Sequence, residues 1–477
     1  MRRPYSGMEI DGFTLGERLH QGGFATIWAV THALHRTALV MKVPTILDGY
    51  DGPTIVGFEV EQMIMPRLTG VHVPKVCGVG GFDDMPYIVM EAVAGGALVE
   101  RFGQPWTLSD LVETAARMAG AVHDLHVQGV AHLDLKPGNI LQRATGEMVL
   151  IDFGLARHDD LPDLLAEEFT IPMGTYPYIA PEQFLRQRDD LRSDIFALGA
   201  MIYEMAVGHA PFGVPETLKG ARRRLWRDPV PPRSIRPDLP EWVQEVILRA
   251  LEVDPSRRYQ TAAQLLFDLQ HPGQVVLTAR GRKLRADEVW VVWRRWWRMR
   301  RVHRFAPPVS HGEVMERAPI LLVAVDLSPD GEALAPRLML WVRRMLSLQP
   351  DSRIAVVNVI KSAVLGLDQT TDDAGENLHV VRLVALRAWG AGLDLAEAQL
   401  TFSVLESSDP AAAIIDHAAQ MRADHILMGA RGHSTTRRYL GSVSAHVVAE
   451  AACSVTVIRN PAIPNSAIRE PAVADTR

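Results

Sequence analysis

The 477-residue sequence has few cysteines, no long apolar run and little net charge. Two cysteines, Cys77 and Cys453, are too few for a disulfide framework and favour a reducing compartment, so we expect a cytoplasmic protein. No stretch of about 18 apolar residues predicts a transmembrane helix. The segment MRRPYSGMEIDGF lacks the apolar stretch of a signal peptide. A formal net charge of −6 argues against a protein that coats nucleic acid.

The composition that is present, with 47% hydrophobic and 22% charged residues, is typical of globular domains. Residues 12–270 form a first zone, in which alternating apolar segments such as FTLGERL predict strands over 12–93 and helical patterns follow over 94–270. Residues 271–318 form a linker, residues 319–460 a second domain, and residues 461–477 a tail that we expect to be disordered. The first zone therefore predicts two lobes.

Lys42 lies in the apolar strand LVMKV, where a buried ammonium group requires a partner. An edge-strand lysine whose amine reaches solvent is the alternative. Gly22 and Gly23 precede this strand in a hairpin, and backbone without side chains can approach a phosphate closely. A glycine pair is also typical of an ordinary turn, so the pair alone does not identify a site.

A more specific pattern is VAHLDLKPGNIL, which places Asp134, Lys136 and Asn139 in one loop between apolar segments. Phosphoryl transfer needs a carboxylate that orients the attacking hydroxyl, a cation near the transferred phosphate and an oxygen ligand for Mg²⁺. The loop offers one group of each kind. Asp152, at the end of the apolar strand MVLID, offers a second oxygen ligand for the metal.

With these motifs the first zone resembles the eukaryotic-type serine/threonine protein kinases, which also occur in bacteria. The resemblance extends in order through LHQGGFATI, VMK, PYIVMEAVAGG, HLDLKPGN, IDFGLA, GTYPYIAPEQ, RSDIFALGAMIYEMAVGHAPF and DPSRRY. It implies the bilobal α+β kinase fold, ATP with Mg²⁺ (or Mn²⁺) as cofactors, and protein substrates.

The resemblance also implies a role for each matching residue. Asp134 and Lys136 would be catalytic, and Asn139 and Asp152 would hold the metal. Lys42 would contact the α- and β-phosphates, fixed by Glu61, which lies seven residues before Leu68; Glu59 is the alternative partner. The other expected nucleotide contacts are Leu19, Gly22, Gly23, Ala25, Ile27, Glu91 and Val93, the last two within a hinge whose backbone faces adenine. Arg258 would pair with Glu182.

Three positions depart from the family pattern. His20 and Ala25 stand where the first and third loop glycines are usual. Leu133 replaces the arginine that normally binds an activation-loop phosphate, which makes switching by such a phosphate less expected. Thr170, Thr175 and Tyr176 remain as candidate modification sites. An alternative hypothesis is therefore a nucleotide-responsive scaffold whose kinase fold does not transfer phosphate.

The carboxy-terminal domain alternates strands and helices, which predicts a doubly wound parallel α/β sheet. Its segments are PILLVAVDL, EALAPRLMLWVRRML, RIAVVNVI, DPAAAIIDHAAQ, HILMGA, SVSAHVVAEA and SVTVIR. ILMGARGHSTTRRYLGSVSAHV leads from a strand through glycines into a helix start, where backbone N–H groups bind anions. A glycine-rich connection with a serine cap is the alternative interpretation.

This domain resembles the universal stress protein family, which implies a regulatory ATP or AMP ligand and frequent homodimers. The matching positions are Asp326, Gly429, Gly432, Gly441 and Ser442. Two features depart from the pattern: Asn358 stands where histidine is common, and eight residues rather than nine separate Gly432 from Gly441. No nucleophile–base pair is evident, so we expect no catalysis in this domain.

The linker combines tryptophan with positive charge. Between Arg280 and Arg304 it has ten basic and two acidic residues and four of the ten tryptophans. Trp290, Trp293 and Trp297 share one helical face. We expect these side chains to pack against a domain; contact with an anionic membrane surface is the first alternative, and nucleic acid is less expected.

Overall fold

The computed structural model describes residues 3–23, 25–45, 52–82, 85–168, 172–299, 305, 319–328, 331, 334–350, 352–361, 378–395, 399–430 and 442–459. The chain divides into two compact units, Met1–Glu316 and Arg317–Arg477. Among the described residues, no helix combines the length and the apolarity that crossing a bilayer requires.

The first unit begins with a six-stranded antiparallel sheet in the order β1-β2-β3-β4-β6-β5. Its strands are β1 Glu9–Ile10, β2 Phe13–Gln21, β3 Ala25–His32, β4 His35–Pro44, β5 Val76–Gly80 and β6 Tyr87–Glu91. In β4, Met41 and Val43 are buried on one face of the sheet. Because successive side chains of a strand point to opposite faces, Lys42 projects from the other face. Helix α1, Gly52–Ile64, lies on that face, since its Glu61 contacts Lys42.

The remainder of the first unit is mainly helical. The helices are α2 Leu108–Val127, α3 Leu164–Glu168, α4 Arg192–Val207, α5 Leu218–Ala221, α6 Pro232–Ile235, α7 Glu241–Ala250, α8 Ala262–Gln270, α9 Ala279–Arg282 and α10 Val289–Met299. Short 3₁₀ turns occupy Met65–Arg67, Leu98–Arg101, Pro137–Asn139, Glu182–Leu185, Arg222–Leu225, Pro255–Arg257 and Pro272–Gln274. Between them lie β7 Gly95–Ala97, β8 Val130–Ala131, β9 Ile140–Arg143, β10 Met148–Leu150 and β11 Arg157–His158.

The helical lobe is built around α2 and α4. Thr107 caps α2 by accepting a hydrogen bond from the Asp110 backbone nitrogen at 3.1 Å. A Cβ at Gly199 of α4 would lie 2.7 Å from the Cβ of Ala250, so the glycine lets α4 approach α7 closely. A strand-rich part followed by a helical part confirms the predicted bilobal α+β fold.

The second unit contains a five-stranded parallel sheet in the order β14-β13-β12-β15-β16. Its strands are β12 Ile320–Ala324, β13 Arg353–Lys361, β14 Leu400–Ser407, β15 His425–Gly429 and β16 Ser454–Ile458. Its helices are α11 Ala335–Leu348, α12 Leu378–Ala391, α13 Pro410–Gln420 and α14 Ser442–Glu450. Strands β12 and β13 are buried at successive positions, as expected of a sheet covered on both faces.

This sheet confirms the predicted parallel α/β class. Sequence analysis did not identify α12 or β14. Helix α12 has exposed apolar residues, Val380 and Val384, so its apolar positions do not form one clear stripe. Strand β14 lies at the sheet edge and mixes polar and apolar residues without strict alternation.

Candidate functional site

Lys42 joins the two lobes through a three-residue ionic cluster. Its Nζ lies 2.8 and 2.6 Å from the carboxylate oxygens of Glu61 on α1, and 2.9 Å from Oδ1 of Asp152. Lys42 is therefore not an edge-strand lysine that reaches solvent. The contact selects Glu61 over Glu59, because Glu61 lies on the side of α1 that faces β4.

The charges of this cluster determine its protonation. Burial would lower the pKa of Lys42, but the carboxylates of Glu61 and Asp152 outweigh it and raise that pKa above its ordinary value. The Lys42 ammonium group holds the pKa of Asp152 below its ordinary value. Lys42 is thus cationic and Asp152 anionic at neutral pH, as contacts to phosphate and to a metal require.

Asp134 is held on both of its carboxylate oxygens. Oδ2 accepts a hydrogen bond from Nζ of Lys136 at 2.9 Å. Oδ1 accepts from both the backbone nitrogen and the hydroxyl of Thr175, each at 2.8 Å. Asn139 donates from Nδ2 to the Asp134 carbonyl at 3.0 Å. The contacts of Lys136 and Thr175 fix the orientation of the carboxylate, and the contact of Asn139 fixes its backbone.

The backbone of this loop is held by Asp194 at the start of α4. Its Oδ1 accepts from the Leu133 nitrogen at 2.9 Å, and its Oδ2 accepts from the His132 nitrogen at 2.8 Å. Leu133 has φ of 62° and Asp152 has φ of 66°, the left-handed region that residues with a Cβ seldom occupy. Such strain is sustained at functional sites by surrounding contacts, which here include the buried Asp194 carboxylate.

Asn139 and Asp152 supply the oxygen donors expected of a metal site. The Asp152 side chain is 44% exposed and is accessible to a ligand. Because Nδ2 of Asn139 bonds to Asp134, its amide oxygen is the group that it offers to a cation. The two loops are joined where the Ile151 nitrogen donates to the Asn139 carbonyl at 3.0 Å. Among the described residues, no group of three or more His, Cys, Asp or Glu side chains is placed to hold a metal ion.

The glycine-bearing hairpin lies beside Lys42. Ile27 of β3 is the register partner of Lys42 on β4, and Ala25 is the partner of Pro44. The Gly22 nitrogen donates to the Ala25 carbonyl at 2.9 Å and closes the turn that contains Gly23. Leu19, on β2 of the same hairpin, is exposed. Phe24 lies outside the described residues.

The predicted hinge follows β6. Glu91 pairs through its carboxylate with Arg143, which lowers the Glu91 pKa below its ordinary value. The Glu91 backbone nitrogen donates to the Lys75 carbonyl at 2.9 Å. Val93 is half-buried two residues beyond the end of β6. The side chain of Glu91 thus fastens the hinge to the helical lobe.

The segment that bears Thr175 is held by a glycine turn and by the side chain of Arg224. Gly174 has φ of 131°, a conformation that favours glycine and that turns the chain toward Asp134. The guanidinium of Arg224 donates to the carbonyl oxygens of Tyr176 and Ile179. Burial lowers the pKa of Arg224 to about 9, so the guanidinium still carries its proton at neutral pH.

The segment ends at a buried ion pair. Arg258 donates from Nη1 and Nη2 to the two carboxylate oxygens of Glu182, at 2.6 and 2.7 Å. This is the pair that the resemblance implies. Thr175, which the sequence offered only as a candidate modification site, contacts the Asp134 carboxylate. Thr170 lies outside the described residues. No sequence signal identified Arg224, because it belongs to none of the quoted motifs.

In the second unit, two predicted nucleotide positions follow neighbouring strands. Asp326 comes after β12 and Gly429 ends β15, which pairs with β12 in parallel. Ligands of such sheets bind at the carboxyl ends of the strands where the strand order reverses. A Cβ at Gly331 would lie 2.3 Å from the Asp326 carbonyl oxygen, so a side chain at position 331 would require the backbone to shift. Ser442 begins α14 and is exposed.

The predicted phosphate loop itself is not covered by the structure. Gly432 and Gly441 lie outside the described residues. Asn358, at the position where the resembled family often has histidine, donates from Nδ2 to the Val325 carbonyl at 2.8 Å. Its amide therefore supports the strand end that leads to Asp326.

The linker begins as part of the first unit. Glu245 of α7 accepts from the nitrogens of Thr278 and Gly281 and from Nε of Arg280. Farther along, Arg295 of α10 pairs with Asp228 at 2.8 Å.

The tryptophan face of α10 differs from the expected packing. Trp290 and Trp293 are 57% and 61% exposed. Trp293 makes an edge contact with Trp297, with ring centroids 6.0 Å apart. Residues 300–304 and 306–318 lie outside the described residues.

Comparison with protein families identifies both units. The model described as "Protein kinase domain" matches residues 13–271, more than half of the chain. The model described as "Universal stress protein family" matches residues 319–459. The two families are those that the motifs resembled.

Several curated relatives of this chain are bacterial serine/threonine-protein kinases. A probable serine/threonine-protein kinase of Clostridium perfringens is 33% identical over 217 residues, which is 45% of this chain and 31% of the relative. A probable serine/threonine-protein kinase of Corynebacterium efficiens is 30% identical over 271 residues, 54% of this chain and 41% of the relative. Serine/threonine-protein kinase PknB of Mycobacterium tuberculosis is 31% identical over 266 residues, which is 54% of this chain and 42% of the relative. The chain spans less than half the length of these relatives.

Proposed function

The chain belongs to the protein kinase domain family, and from that membership we propose that it is a serine/threonine protein kinase that transfers the γ-phosphate of ATP to hydroxyls of protein substrates. The observation that carries the proposal is the double anchoring of the Asp134 carboxylate, by Lys136 on Oδ2 and by Thr175 on Oδ1. A carboxylate held in this way can orient an incoming hydroxyl and accept its proton.

Each remaining residue has a defined task. Lys42, held by Glu61, binds the α- and β-phosphates, and Lys136 stabilises the charge on the γ-phosphoryl group. Asn139 and Asp152 hold Mg²⁺, for which Mn²⁺ is an alternative, since both bind carboxylate and amide oxygens. The nucleotide, when bound, supplies the phosphoryl group that is transferred. The nucleotide is surrounded by residues of the hairpin and of the hinge. They are Leu19, Gly22, Gly23, Ala25 and Ile27 of the hairpin, and Glu91 and Val93 of the hinge.

Phosphate transfer is tested by intact-mass spectrometry of the full chain before and after incubation with Mg-ATP or Mn-ATP. We expect added phosphate with the wild type and none with Asp134→Asn. The matched control is Asp238→Asn, an exposed aspartate remote from the site. Phosphate uptake by Asp134→Asn equal to the wild type contradicts the assignment of Asp134. No observation on the described residues favours the scaffold alternative.

The second unit extends the proposal. This unit binds ATP or AMP as a regulatory ligand through Asp326, Gly429, Gly432, Gly441 and Ser442. The position of Asp326 and Gly429 at adjacent strand ends supports this assignment. Calorimetric titration of the full chain with ATP should then give two sites per chain, reduced to one by Asp326→Ala. A single site in the wild type contradicts this part. The homodimer that the family resemblance implies stays a prediction, to be tested by light scattering.

The exposed face of α10 supports peripheral contact with an anionic membrane. Trp290 and Trp293 are exposed beside Arg294 and Arg298, the composition of a helix that lies in the headgroup layer. We expect co-sedimentation with vesicles that contain phosphatidylserine, reduced by Trp290→Ala with Trp293→Ala. Equal sedimentation of the wild type and the double variant contradicts membrane contact through these tryptophans.

The compartment that we propose is the reducing cytoplasm. Cys77 and Cys453 are free thiols, which suits that compartment.

A further inference from the structure

We propose that Asp163 is a positioning residue that fixes the activation segment through two arginines, so that the catalytic site forms without phosphorylation of that segment. The activation segment is defined as residues 152–182, of which 169–171 lie outside the described residues. The inference rests on the proposed kinase function and assigns its regulation. It concerns a carboxylate that lies in none of the motifs of the resemblance.

Asp163 is bound by arginines from two sides. Arg188 donates from Nε to both of its carboxylate oxygens, at 3.2 and 3.0 Å. Nε of Arg157 lies 4.0 Å from Oδ2. Oδ1 also accepts from the backbone nitrogen of Ala166 at 3.2 Å, within the first turn of α3. The carboxylate thus receives two cations and a backbone donor, as a phosphate in such a segment would.

The arginines connect Asp163 with both ends of the segment. Arg157 lies on β11, which pairs with β8 immediately before the catalytic loop. Arg188 follows the end of the segment and also donates from Nη2 to the Leu155 carbonyl at 3.0 Å. Leu155 is three residues after Asp152. Arg188 therefore joins the chain after the metal-binding loop to the chain after Glu182, with Asp163 as its counter-ion.

Position 133 shows why the carboxylate is needed. In the resembled family an arginine at this position binds the segment phosphate, whereas here the Leu133 side chain is buried against Ala131 and Leu191. Leu133 offers no charge to a phosphate. Arg188 is a cation beside the segment, and Asp163 already neutralises it.

The partial burial of the cluster gives it more weight than a surface pair. The side chains of Arg188, Asp163 and Arg157 are 13%, 18% and 23% exposed. Exposed ion pairs contribute little, but partly buried networks of several charges contribute more. Asp163→Asn removes the charge and retains the shape, so it leaves Arg188 without its carboxylate.

The experiment compares steady-state kinetics of the full chain as wild type, Asp163→Asn, Asp163→Glu and Asp160→Asn. Asp160 is an exposed aspartate three residues earlier and serves as the matched control. All proteins are treated with phosphatase, and mass spectrometry verifies that residues 152–191 carry no phosphate. Rates are expressed per folded molecule, with a generic basic protein as substrate and Mg-ATP.

We expect Asp163→Asn to lower kcat about tenfold, because the segment that carries Thr175 is less firmly positioned. KM for ATP should change less than about twofold, because the Lys42–Glu61 pair is not disturbed. Asp163→Glu should recover most of kcat, and Asp160→Asn should equal the wild type. Hydrogen exchange in the peptide that spans 155–168 should rise in Asp163→Asn alone. The wild type should keep its full rate after phosphatase treatment.

Two results overturn the inference: an Asp163→Asn variant as fast as the wild type, or a wild type whose rate falls about tenfold on dephosphorylation and returns on rephosphorylation. A wild type that transfers no phosphate with either metal contradicts the proposed kinase function instead. The two failures are therefore distinguishable.

Discussion

Thr175 donates two hydrogen bonds, from its backbone nitrogen and from its hydroxyl, to the same carboxylate oxygen of Asp134. Both distances are 2.8 Å. The contact joins the activation segment to the loop that bears Asp134, since the two residues are 41 positions apart in sequence. It also means that a phosphate on Thr175 would separate the two segments, since the hydroxyl that would be modified is the one that bonds to Asp134.

Replacing Thr175 separates the contribution of its hydroxyl from that of its backbone nitrogen. Thr175→Val keeps the shape and the backbone bond but removes the hydroxyl donor to a carboxylate, so we expect kcat to fall about tenfold to a hundredfold. Thr175→Ser keeps the donor and should remain within about threefold of the wild type. Steady-state phosphorylation kinetics measure both. Equal rates for the valine and serine variants would show that the hydroxyl is dispensable.

Substitutions of two neighbouring glutamates test which of them is the partner of Lys42. Glu61→Gln removes a charge 2.6 Å from Nζ of Lys42, so we expect ATP affinity to weaken at least about tenfold, the ratio that 1.4 kcal/mol represents. Glu59→Gln, on the same helix, should bind ATP like the wild type. Calorimetric titration with ATP measures both affinities. Weaker binding in Glu59→Gln than in Glu61→Gln would reverse the assignment.

The Glu182–Arg258 pair is expected to stabilise the helical lobe. Both side chains are buried, so Glu182→Gln leaves the Arg258 guanidinium without its counter-ion. Breaking a buried pair by removing one partner costs about 3–5 kcal/mol of unfolding free energy. The control is Glu241, a half-exposed residue whose carboxylate lies 3.1 Å from Arg233, since Glu241→Gln should cost less than about 1 kcal/mol. Urea unfolding measures the two losses; similar losses would contradict the burial argument.

The motifs of the first unit predict most of its site because they are local and ordered. HLDLKPGN places Asp134, Lys136 and Asn139 within six positions, where chain connectivity alone keeps them together. Lys42 and Asp152 are 110 residues apart, and only the family resemblance suggested that they meet. Periodicity predicted the lobes and the parallel sheet, because buried faces repeat along helices and strands.

Other features depend on tertiary contacts that no local pattern encodes. The sequence does not distinguish Arg224 and Arg188 from ordinary surface arginines. In the structure, Arg224 is buried and donates to the Tyr176 carbonyl, and Arg188 binds Asp163. The tryptophans of α10 were expected to pack, but an amphipathic stripe does not reveal whether a partner covers it. Trp290 and Trp293 are instead exposed.

Asp424 makes the stability of the second unit depend on pH. Burial raises its pKa from the ordinary 3.8 to about 6, and its Oδ2 accepts from the Ile320 nitrogen at 2.7 Å. Because the folded pKa lies above the unfolded one, this contribution is fully present below about pH 4 and is lost as pH rises through about 6. We expect unfolding free energy to fall by up to about 3 kcal/mol over that range.

The pH effect is measured by proteolysis coupled to mass spectrometry on peptides from residues 319–361 across urea gradients at several pH values. Asp424→Asn should remove the contribution of this group, whereas Asp416→Asn, an exposed aspartate on α13, should retain it. Parallel pH curves for the wild type and Asp424→Asn would contradict the assignment.

The most direct test of the central claim is incorporation of labelled phosphate from γ-labelled ATP by the full chain, with Mg²⁺ and with Mn²⁺, beside Asp134→Asn and Asp152→Asn. The kinase account predicts incorporation by the wild type with at least one metal. It predicts a loss of at least about a thousandfold in both variants, which remain folded. Incorporation that persists in either variant, or none by the folded wild type with either metal, would contradict it.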